Sequence, residues 1–433
     1  MKFYSTNNRS HIVAFQEAIV RSLAPDKGLY MPERIPAFPK SFFQSLHERS
    51  FREIAFEVAK VFIRDEIPNE QLNEIIAHTI SFDAPLVEIE KNIFCLELFH
   101  GPTLAFKDFG ARFLSQTLGY FARQQKQELV ILVATSGDTG SAVANGFLGV
   151  PNTKVIVLFP SGKVSEIQEK QFTTLGKNIT AIEIDGTFDD CQRLVKQAFL
   201  DSELNEKIFL TSANSINIAR LIPQAFYYFY AWSRLKNKNN VVFSVPSGNF
   251  GNLTAGLLAR EMGLPIHHFV AATNINDIVP HYLKTNNFLP RNSMPTISNA
   301  MDVGNPSNFA RILDLFQHNH ASICDRISGY SFTDEETRAV MKRIFAKSGY
   351  VLDPHGAVGF LGLKEYQSRN PEIMGVFLET AHPAKFKETV ELTLNTEVAI
   401  PESLKRFLSG IKKTIPCDTN YNSFKNILEA STV

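Results

Sequence analysis

Residues 129–146 read LVILVATSGDTGSAVANG, and this stretch decides the fold class. The six apolar residues 129–134 have the length and composition of a strand buried on both faces of a sheet. A loop of hydroxyl-bearing residues and glycines follows, and then a run of small residues at 142–146 that we interpret as a helix. The stretch therefore predicts one strand–loop–helix unit of an α/β protein.

The same alternation continues through most of the chain. Short β-rich runs alternate with helical patterns such as those at 108–124 and 168–175, which predicts parallel sheets with helices on both faces. Further strands are predicted at 155–159, 208–211, 241–245, 268–272 and 375–379.

The N-terminal segment has a different pattern. Apolar residues recur every three or four positions at 49–63 and 69–80, which predicts two amphipathic helices. We therefore expect a helical N-terminal cap over 1–85, followed by one α/β domain over 86–236 and a second over 237–433.

The composition excludes several classes of protein. Among 433 residues, 44 are basic and 44 acidic, so the net charge of zero gives no basis for non-specific nucleic-acid binding. Hydrophobic residues make up 44%, too many for a disordered chain. The N-terminus lacks the apolar region of a secretory signal, and no run approaches the ~18 apolar residues of a membrane span. The four cysteines form no C-x-x-C pair, which is typical of reduced thiols in a cytoplasmic protein.

Four loops after predicted strands carry unusual residues, and open α/β sheets bind ligands at that end of their strands. In the first loop, residues 100–110, Lys107 lies among Leu104, Phe106 and Phe109. Burial lowers the pKa of a lysine, and the neutral amine can then attack an aldehyde, as a Schiff-base lysine must. The alternative is a lysine at a helix start whose amine reaches solvent.

The next two loops have the features of anion sites. The hydroxyls and backbone N–H groups of 135–141 suit a carboxylate at a helix N-terminus, although Asp138 or Thr139 can equally be an ordinary helix cap. Two glycines in 245–252 let N–H groups converge on a phosphate, although a plain glycine-rich turn is the alternative. This loop matches neither the dinucleotide fingerprint nor the Walker loop, so nucleotide binding is not supported.

The fourth loop and the remaining histidines are less specific. Residues 379–385 offer a hydroxyl, an imidazole and an amine, but His382 can equally satisfy a buried carbonyl. The histidines of 267–268 and 318–320 suggest zinc ligands. Adjacent histidines in a strand point to opposite faces, however, and no third ligand lies at a typical spacing. We therefore predict no metal site.

Taken together, these loops resemble those of threonine synthases, which are pyridoxal-phosphate (PLP) enzymes of fold type II. The resemblance covers most of the chain, and its motifs occur in the same order as in that family. Its last two stretches are particular to threonine synthases, whereas a lysine loop and a glycine loop fit any type II PLP enzyme. The matching stretches are 2–6, 23–26, 100–112, 134–140, 245–256, 298–308, 353–357 and 380–386.

The resemblance implies two parallel-sheet α/β domains with the active site between them and PLP as the cofactor. It makes Lys107 the catalytic Schiff-base lysine and acid–base group, and Thr380 the hydroxyl partner of the pyridine nitrogen. The implied ligands of the cofactor phosphate are Gly248, Asn249, Phe250, Gly251 and Asn252. The implied substrate-binding residues are Thr135, Ser136, Gly137, Asp138, Thr139, Gly140, Lys163, Ser165, Asn217 and Arg220.

The implied reaction is γ-elimination of phosphate from O-phospho-L-homoserine, followed by β-addition of water to give L-threonine. Asp138 fits this site poorly, because a carboxylate repels an anion unless it is protonated or turned outward. Two alternatives stay open. One is a serine or threonine dehydratase or another β-replacing type II PLP enzyme, and the other is a non-catalytic relative that binds a phosphorylated metabolite. We expect a cytoplasmic monomer or homodimer with no nucleic-acid or membrane partner.

Overall fold

The computed structural model describes residues 1–431, and its N-terminal part combines helices with a small sheet. The first elements are β1 (Lys2–Ser5), β2 (Ile12–Ala14), α1 (Phe15–Arg21), β3 (Tyr30–Pro32), α2 (Lys40–Gln44), α3 (Phe51–Ile63) and α4 (Asn69–Thr79). The helices α3 and α4 confirm the two predicted amphipathic helices, and a capping box of Ser50 and Glu53 fixes the start of α3. The antiparallel sheet β2-β1-β3 was not predicted, because strands of three or four residues are too short to show alternation.

The rest of the chain alternates strands and helices as predicted. Its strands are β4 (Leu86–Glu90), β5 (Ile93–Glu97), β6 (Leu129–Ala134), β7 (Thr153–Pro160), β8 (Ile179–Ile184), β9 (Phe209–Ser212), β10 (Val241–Pro246), β11 (His268–Thr273), β12 (Ile327–Ser331), β13 (Met374–Glu379) and β14 (Ile415–Cys417). Its helices are α5 (Lys107–Ala122), α6 (Asp138–Phe147), α7 (Glu166–Thr173), α8 (Phe188–Leu200), α9 (Ser202–Lys207), α10 (Ile218–Leu221), α11 (Gln224–Arg234), α12 (Gly251–Glu261), α13 (Ile278–Thr285), α14 (Phe309–Leu315), α15 (His320–Cys324), α16 (Asp334–Ser348), α17 (Pro354–Arg369), α18 (Lys387–Leu394), α19 (Glu402–Leu408) and α20 (Tyr421–Ser431).

Two larger sheets organise these elements. The five-stranded sheet has the order β14-β8-β7-β6-β9 and is parallel throughout. The six-stranded sheet has the order β12-β11-β10-β13-β5-β4 and is parallel except for the β4–β5 pair. Every residue of β6, β10, β11 and β13 is buried, as expected for parallel strands covered by helices on both faces.

The sheets do not divide the chain at the predicted domain boundaries. Strands β4 and β5 fall in the predicted range 86–236, yet β5 pairs with β13 of the six-stranded sheet. Strand β14 falls in the range 237–433, yet it pairs with β8 of the five-stranded sheet. None of β4, β5 and β14 was among the predicted strands. Pairing between distant segments leaves no mark on local periodicity, so the sequence pattern showed neither these strands nor their partners.

Two further findings concern the start of α6 and the search for membrane-spanning helices. Helix α6 begins at Asp138, four residues before the predicted small-residue run at 142–146. Within residues 1–431, no helix combines the length and the apolarity needed to cross a membrane.

Candidate active site

A cavity of about 1110 Å³ is lined by the carboxyl ends of strands from both larger sheets. Ala134 and Pro160 reach it from the five-stranded sheet, and Pro246 and Thr380 lie at the ends of two strands of the six-stranded sheet. Ligand sites of open α/β sheets lie at this end. The predicted site residues that line this cavity are Lys107, Thr135, Ser136, Asp138, Thr139, Lys163, Arg220, Gly248, Asn249, Phe250, Gly251, Asn252 and Thr380.

Lys107 is the first residue of α5, and only 16% of its side chain is exposed. Its amine lies 4.9 Å from the centre of the Phe106 ring and 3.6 Å from Oδ2 of Asp138. Burial lowers the pKa of Lys107, and the nearby Asp138 carboxylate opposes this effect only in part. A lowered pKa increases the fraction of neutral amine near pH 7, which is the form that attacks an aldehyde.

Asp138 is the first residue of α6, and its buried carboxylate is surrounded by donors. Lys385 Nζ lies 2.6 Å from Oδ1, and Gln168 Nε2 donates to the same oxygen at 2.8 Å. Burial alone would raise the pKa of Asp138, but the ammonium groups of Lys385 and Lys107 lower it well below its usual range. Asp138 therefore pairs with two lysines, and its role in binding the substrate stays a prediction.

Lys385 is a residue of this site to which the sequence analysis gave no role. It lies in the 3₁₀ turn Pro383–Phe386 after β13, and its side chain is fully buried. Its amine also donates to the carbonyl oxygen of Thr103 at 2.9 Å. Its signals in the sequence were its place in a loop after a buried strand and in the matching stretch 380–386, but a lysine in such a loop is usually exposed.

The glycine loop 248–252 leads into the N-terminus of α12. Phe250 adopts the left-handed region with φ of 62°, and the helix begins at the next residue. A Cβ at Gly248 would lie 2.7 Å from the carbonyl oxygen of Ala300 and 2.9 Å from Cα of Met301, so the close packing of these backbones requires glycine. The loop thus presents backbone N–H groups and a helix dipole to the cavity.

Asn252 supplies an unused donor beside this loop. Its Oδ1 accepts hydrogen bonds from the hydroxyls of Tyr227 and Tyr228 at 2.8 and 2.7 Å, which fixes the orientation of the amide. Its Nδ2 is buried and has no hydrogen-bond partner within residues 1–431. Since a buried donor without a partner is costly, this N–H₂ group is suited to an acceptor on a bound anion.

The loop 135–141 is held in shape by hydrogen bonds of its own residues. Thr135 Oγ1 accepts from the backbone N–H groups of Gly137 and Gly140 at 2.9 and 2.8 Å. Gly137 has φ of 135°, and a Cβ there would lie 2.6 Å from the Gln168 side chain. The cavity is lined by Thr135, Ser136 and Thr139 of this loop, whereas the two glycines shape its backbone.

Two of the predicted substrate-binding residues have other partners. The amide of Asn217 donates to the carbonyl oxygens of Ile19 and Ser212 and accepts from Ala219 N, so Asn217 caps α10. Ser165 caps α7 by accepting from Gln168 N. Neither residue lines the cavity, because a side-chain oxygen that caps a helix is turned toward the backbone.

Two basic residues remain as candidates for binding a second anion. Arg220 is buried, donates through Nη1 to Ala213 O at 2.5 Å, and leaves Nε without a partner within residues 1–431. Burial lowers the pKa of Arg220 to about 10, so the guanidinium stays charged at neutral pH. Lys163 also lines the cavity but is exposed to solvent.

The N-terminal cap also contributes to the cavity, which the sequence analysis did not predict. Thr6, Arg21, Lys27 and Leu29 line it from the segments around the small sheet. They belong to no motif that carries chemistry, so only the folded chain shows that the cap closes one side of the site.

Comparisons with known proteins agree with this geometry. Three family models match successive parts of the chain. They describe the threonine synthase N terminus over 2–80, a pyridoxal-phosphate dependent enzyme over 79–373, and the threonine synthase C-terminal region over 356–427. The threonine synthase of Escherichia coli is 46% identical over an alignment of 422 residues, which covers 96% of this chain and 97% of that protein. The chain belongs to the threonine synthase family.

Solved structures of threonine synthases have the same fold. The crystal structure of the Escherichia coli enzyme has a TM-score of 0.93 and 43% identity, and covers 99% of this chain and 100% of that one. The PLP-bound enzyme of Brucella melitensis has a TM-score of 0.93 and 34% identity, and covers 100% of this chain and 99% of that one. These matches confirm the predicted type II PLP fold.

PLP is the cofactor of this member of the threonine synthase family, and the residues that line the cavity fit PLP. The glycine loop and Asn252 Nδ2 offer donors for a phosphate, and Lys107 offers a buried amine for an aldehyde. Thr380 lies on the same cavity wall, where its hydroxyl is predicted to meet the pyridine nitrogen.

Proposed function

We propose that this chain converts O-phospho-L-homoserine and water into L-threonine and inorganic phosphate. The observation that carries the proposal is one cavity that combines the buried amine of Lys107, the glycine loop 248–252 and a second basic group, Arg220. When bound, PLP supplies an electron sink for the charge that develops at the α- and β-carbons of the substrate.

Lys107 Nζ is the proposed acid–base group. Once its amine is free, it takes one proton from the substrate α-carbon and one from the β-carbon, and it later returns one to the γ-carbon and one to the α-carbon. The lowered pKa of Lys107 supports this role, because an amine that titrates nearer to neutral pH is an efficient base and acid.

The cofactor is held by groups that carry no formal charge. The backbone N–H groups of 248–252 and the N-terminus of α12 are placed for its phosphate, and Asn252 Nδ2 adds a side-chain donor. The hydroxyl of Thr380 is the proposed partner of the pyridine nitrogen, which it leaves largely unprotonated.

The substrate is held by two groups of residues in the proposal. Ser136 and Thr139, at the start of α6, bind its α-carboxylate through hydroxyls and helix N–H groups. Arg220 and Lys163 bind its phosphate, and the buried Arg220 contributes more because its charge is less screened by water. The phosphate leaves the γ-carbon against these cations, and water adds at the β-carbon.

The place of action and the assembly also stay proposals. All four cysteines are free thiols, three of them buried, which supports a reducing compartment such as the cytoplasm. Whether the chain is a monomer or a homodimer is a prediction that light scattering on the purified protein tests.

The direct test is to incubate the purified holoenzyme with O-phospho-L-homoserine and to measure threonine and inorganic phosphate together. We expect equimolar release of both, and loss of turnover in Lys107→Ala. Lys126→Ala is the matched control, because Lys126 is exposed beyond the end of α5 and should leave the rate unchanged.

Other products would point to other functions. Release of ammonia from serine or threonine without phosphate release would indicate a dehydratase. Binding of the substrate without any product would indicate a non-catalytic relative. Either result contradicts the proposed reaction.

A further inference from the structure

Asp138 creates an electrostatic conflict beside Lys107. Its carboxylate oxygen Oδ2 lies 3.6 Å from the Lys107 amine, and a carboxylate at that distance favours the ammonium form of a lysine. The reaction with an aldehyde requires the neutral amine instead. In a buried site, an unopposed carboxylate would therefore work against the chemistry that Lys107 performs.

The structure supplies a second cation on the other side of Asp138. Lys385 Nζ lies 2.6 Å from Oδ1, and Gln168 Nε2 donates to the same oxygen at 2.8 Å. These two donors fix Oδ1, so the remaining oxygen is the one turned toward Lys107. Rotation of the carboxylate would break both interactions at Oδ1.

Lys385 and Gln168 are themselves fixed. Lys385 is fully buried and donates to Thr103 O at 2.9 Å, and Gln168 Oε1 accepts from Ser165 Oγ at 3.0 Å. The Gln168 side chain also packs against Gly137, where an added Cβ would lie only 2.6 Å from it. The orientation of Asp138 is therefore set by packed groups from α7 and from the turn after β13.

We propose that Lys385 is a positioning residue for Lys107: it neutralises and orients Asp138, so that a carboxylate lies beside the reactive amine without holding it as an ammonium. This inference rests on the proposed role of Lys107. The other charged or titratable groups that face these side chains are Arg220 toward Lys107, and Asp108 and His382 toward Lys385.

The directions of the pKa effects agree with this arrangement. After burial, which lowers the pKa of Lys107, Asp138 raises it and Lys385 lowers it again. Removing Lys385 alone should therefore raise the pKa of Lys107, removing Asp138 alone should lower it, and removing both should bring it back toward the wild-type value.

The test measures the pKa of Lys107 in the full-length chain freed of cofactor. The protein is labelled with trace acetic anhydride across a range of pH, and mass spectrometry gives the labelling of Lys107. The exposed Lys163 in the same cavity is the internal reference, whose labelling curve should not change. In Lys385→Met we expect the pKa of Lys107 to rise by about 1 pH unit or more. In the double variant Asp138→Asn/Lys385→Met we expect it to return toward wild type.

Two results would overturn the proposal. An unchanged pKa of Lys107 in Lys385→Met would show that the two lysines are not coupled. A shift that persists in the double variant would show that altered packing, and not charge, is the cause. If Lys385→Met does not fold, Lys385→Gln replaces it, because its amide is an uncharged donor that can still reach Asp138 Oδ1; an unchanged pKa of Lys107 in that variant would refute the coupling. The labelling uses no substrate, so its outcome is independent of whether the chain forms threonine.

Discussion

Replacing Gly356 by alanine tests how the end of β13 is packed. Gly356 is the third residue of α17 and faces the buried side chain of Glu379, the last residue of β13. A Cβ at Gly356 would overlap the carboxyl group of Glu379. The carboxyl must therefore move, and the neighbouring Thr380 on the cavity wall would be disturbed with it.

The size of the effect follows from three contributions. Forcing a methyl group into this packed site costs about 1–3 kcal/mol. Moving Glu379 also removes the acceptor of the Asp353 N–H, which now donates to Oε1 at 2.5 Å, and an unpaired buried donor costs ~1–3 kcal/mol. The replacement of glycine by alanine in a helix returns ~0.5–1 kcal/mol. We therefore expect Gly356→Ala to lower the free energy of unfolding by about 1–5 kcal/mol.

Urea denaturation of the holoenzyme measures this difference, with Gly359→Ala as the matched control. Gly359 lies one turn later on the same helix, and its added Cβ would be 3.3 Å from Pro246 Cδ, a contact that small adjustments relieve. We expect the control to stay within ~1 kcal/mol of wild type.

A second substitution checks the cause. Glu379→Ala removes the group that the new methyl would strike, so the two changes together should cost at least ~1 kcal/mol less than the sum of the single variants. The reasoning is refuted if Gly356→Ala is as stable as Gly359→Ala, or if the effects of Gly356→Ala and Glu379→Ala are simply additive.

Two further predictions concern a buried histidine and the cofactor loop. Burial lowers the pKa of His268, whose ring nitrogen lies 2.9 Å from Ser328 Oγ, to about 4. Between pH 6.5 and 4 the unfolded chain therefore binds a proton that the folded chain does not, and up to ~3 kcal/mol of stability is lost as the pH falls. Urea titrations at pH 7 and 4.5 should show a larger loss for wild type than for His268→Gln, and equal losses would contradict the assignment. Asn252→Asp replaces a donor by a carboxylate in the glycine loop, so we expect PLP to bind about 10–100-fold more weakly by absorbance titration, and unchanged affinity would remove Asn252 from the proposed cofactor site.

Strands and helices whose pattern lies within one contiguous segment were predictable from the sequence. The apolar run 129–134 forms β6, and the periodic segments 49–63 and 69–80 form α3 and α4. The loops after the predicted strands that end at 134, 245 and 379 line one cavity, as expected for the carboxyl ends of strands in open α/β sheets. Lys107, by contrast, follows β5, which was not predicted as a strand.

Features that depend on distant partners were not predictable. The polar side chains of Ser165 and Asn217 looked available for a ligand, but each caps a helix in the folded chain. Strand β14 pairs with a sheet formed by much earlier segments. In each case the deciding contact joins groups whose local sequences show no sign of each other.

Asp138 shows how this limit bears on function. A carboxylate in an anion-binding loop is unfavourable when judged from its neighbours in the sequence. The resolution lies in Lys385, which follows a different strand of the other larger sheet and reaches Asp138 only after both sheets are formed. The net charge around a site thus depends on which residues the fold brings together, and the sequence alone does not show those partners.

A net charge of zero is consistent with a site for two anions, because the charges that matter are buried. Lys385 and Arg220 lie near Lys107, and these three cations outnumber the two carboxylates of Asp138 and Asp108, although 44 basic and 44 acidic residues balance overall. These interactions are stronger and less screened by salt than those of surface charges. In the proposed site the cofactor phosphate needs no further cation, since backbone N–H groups and the dipole of α12 are placed to bind it. Weak salt dependence of substrate affinity therefore follows if Arg220 dominates phosphate binding, whereas a strong dependence would assign that role to the exposed Lys163.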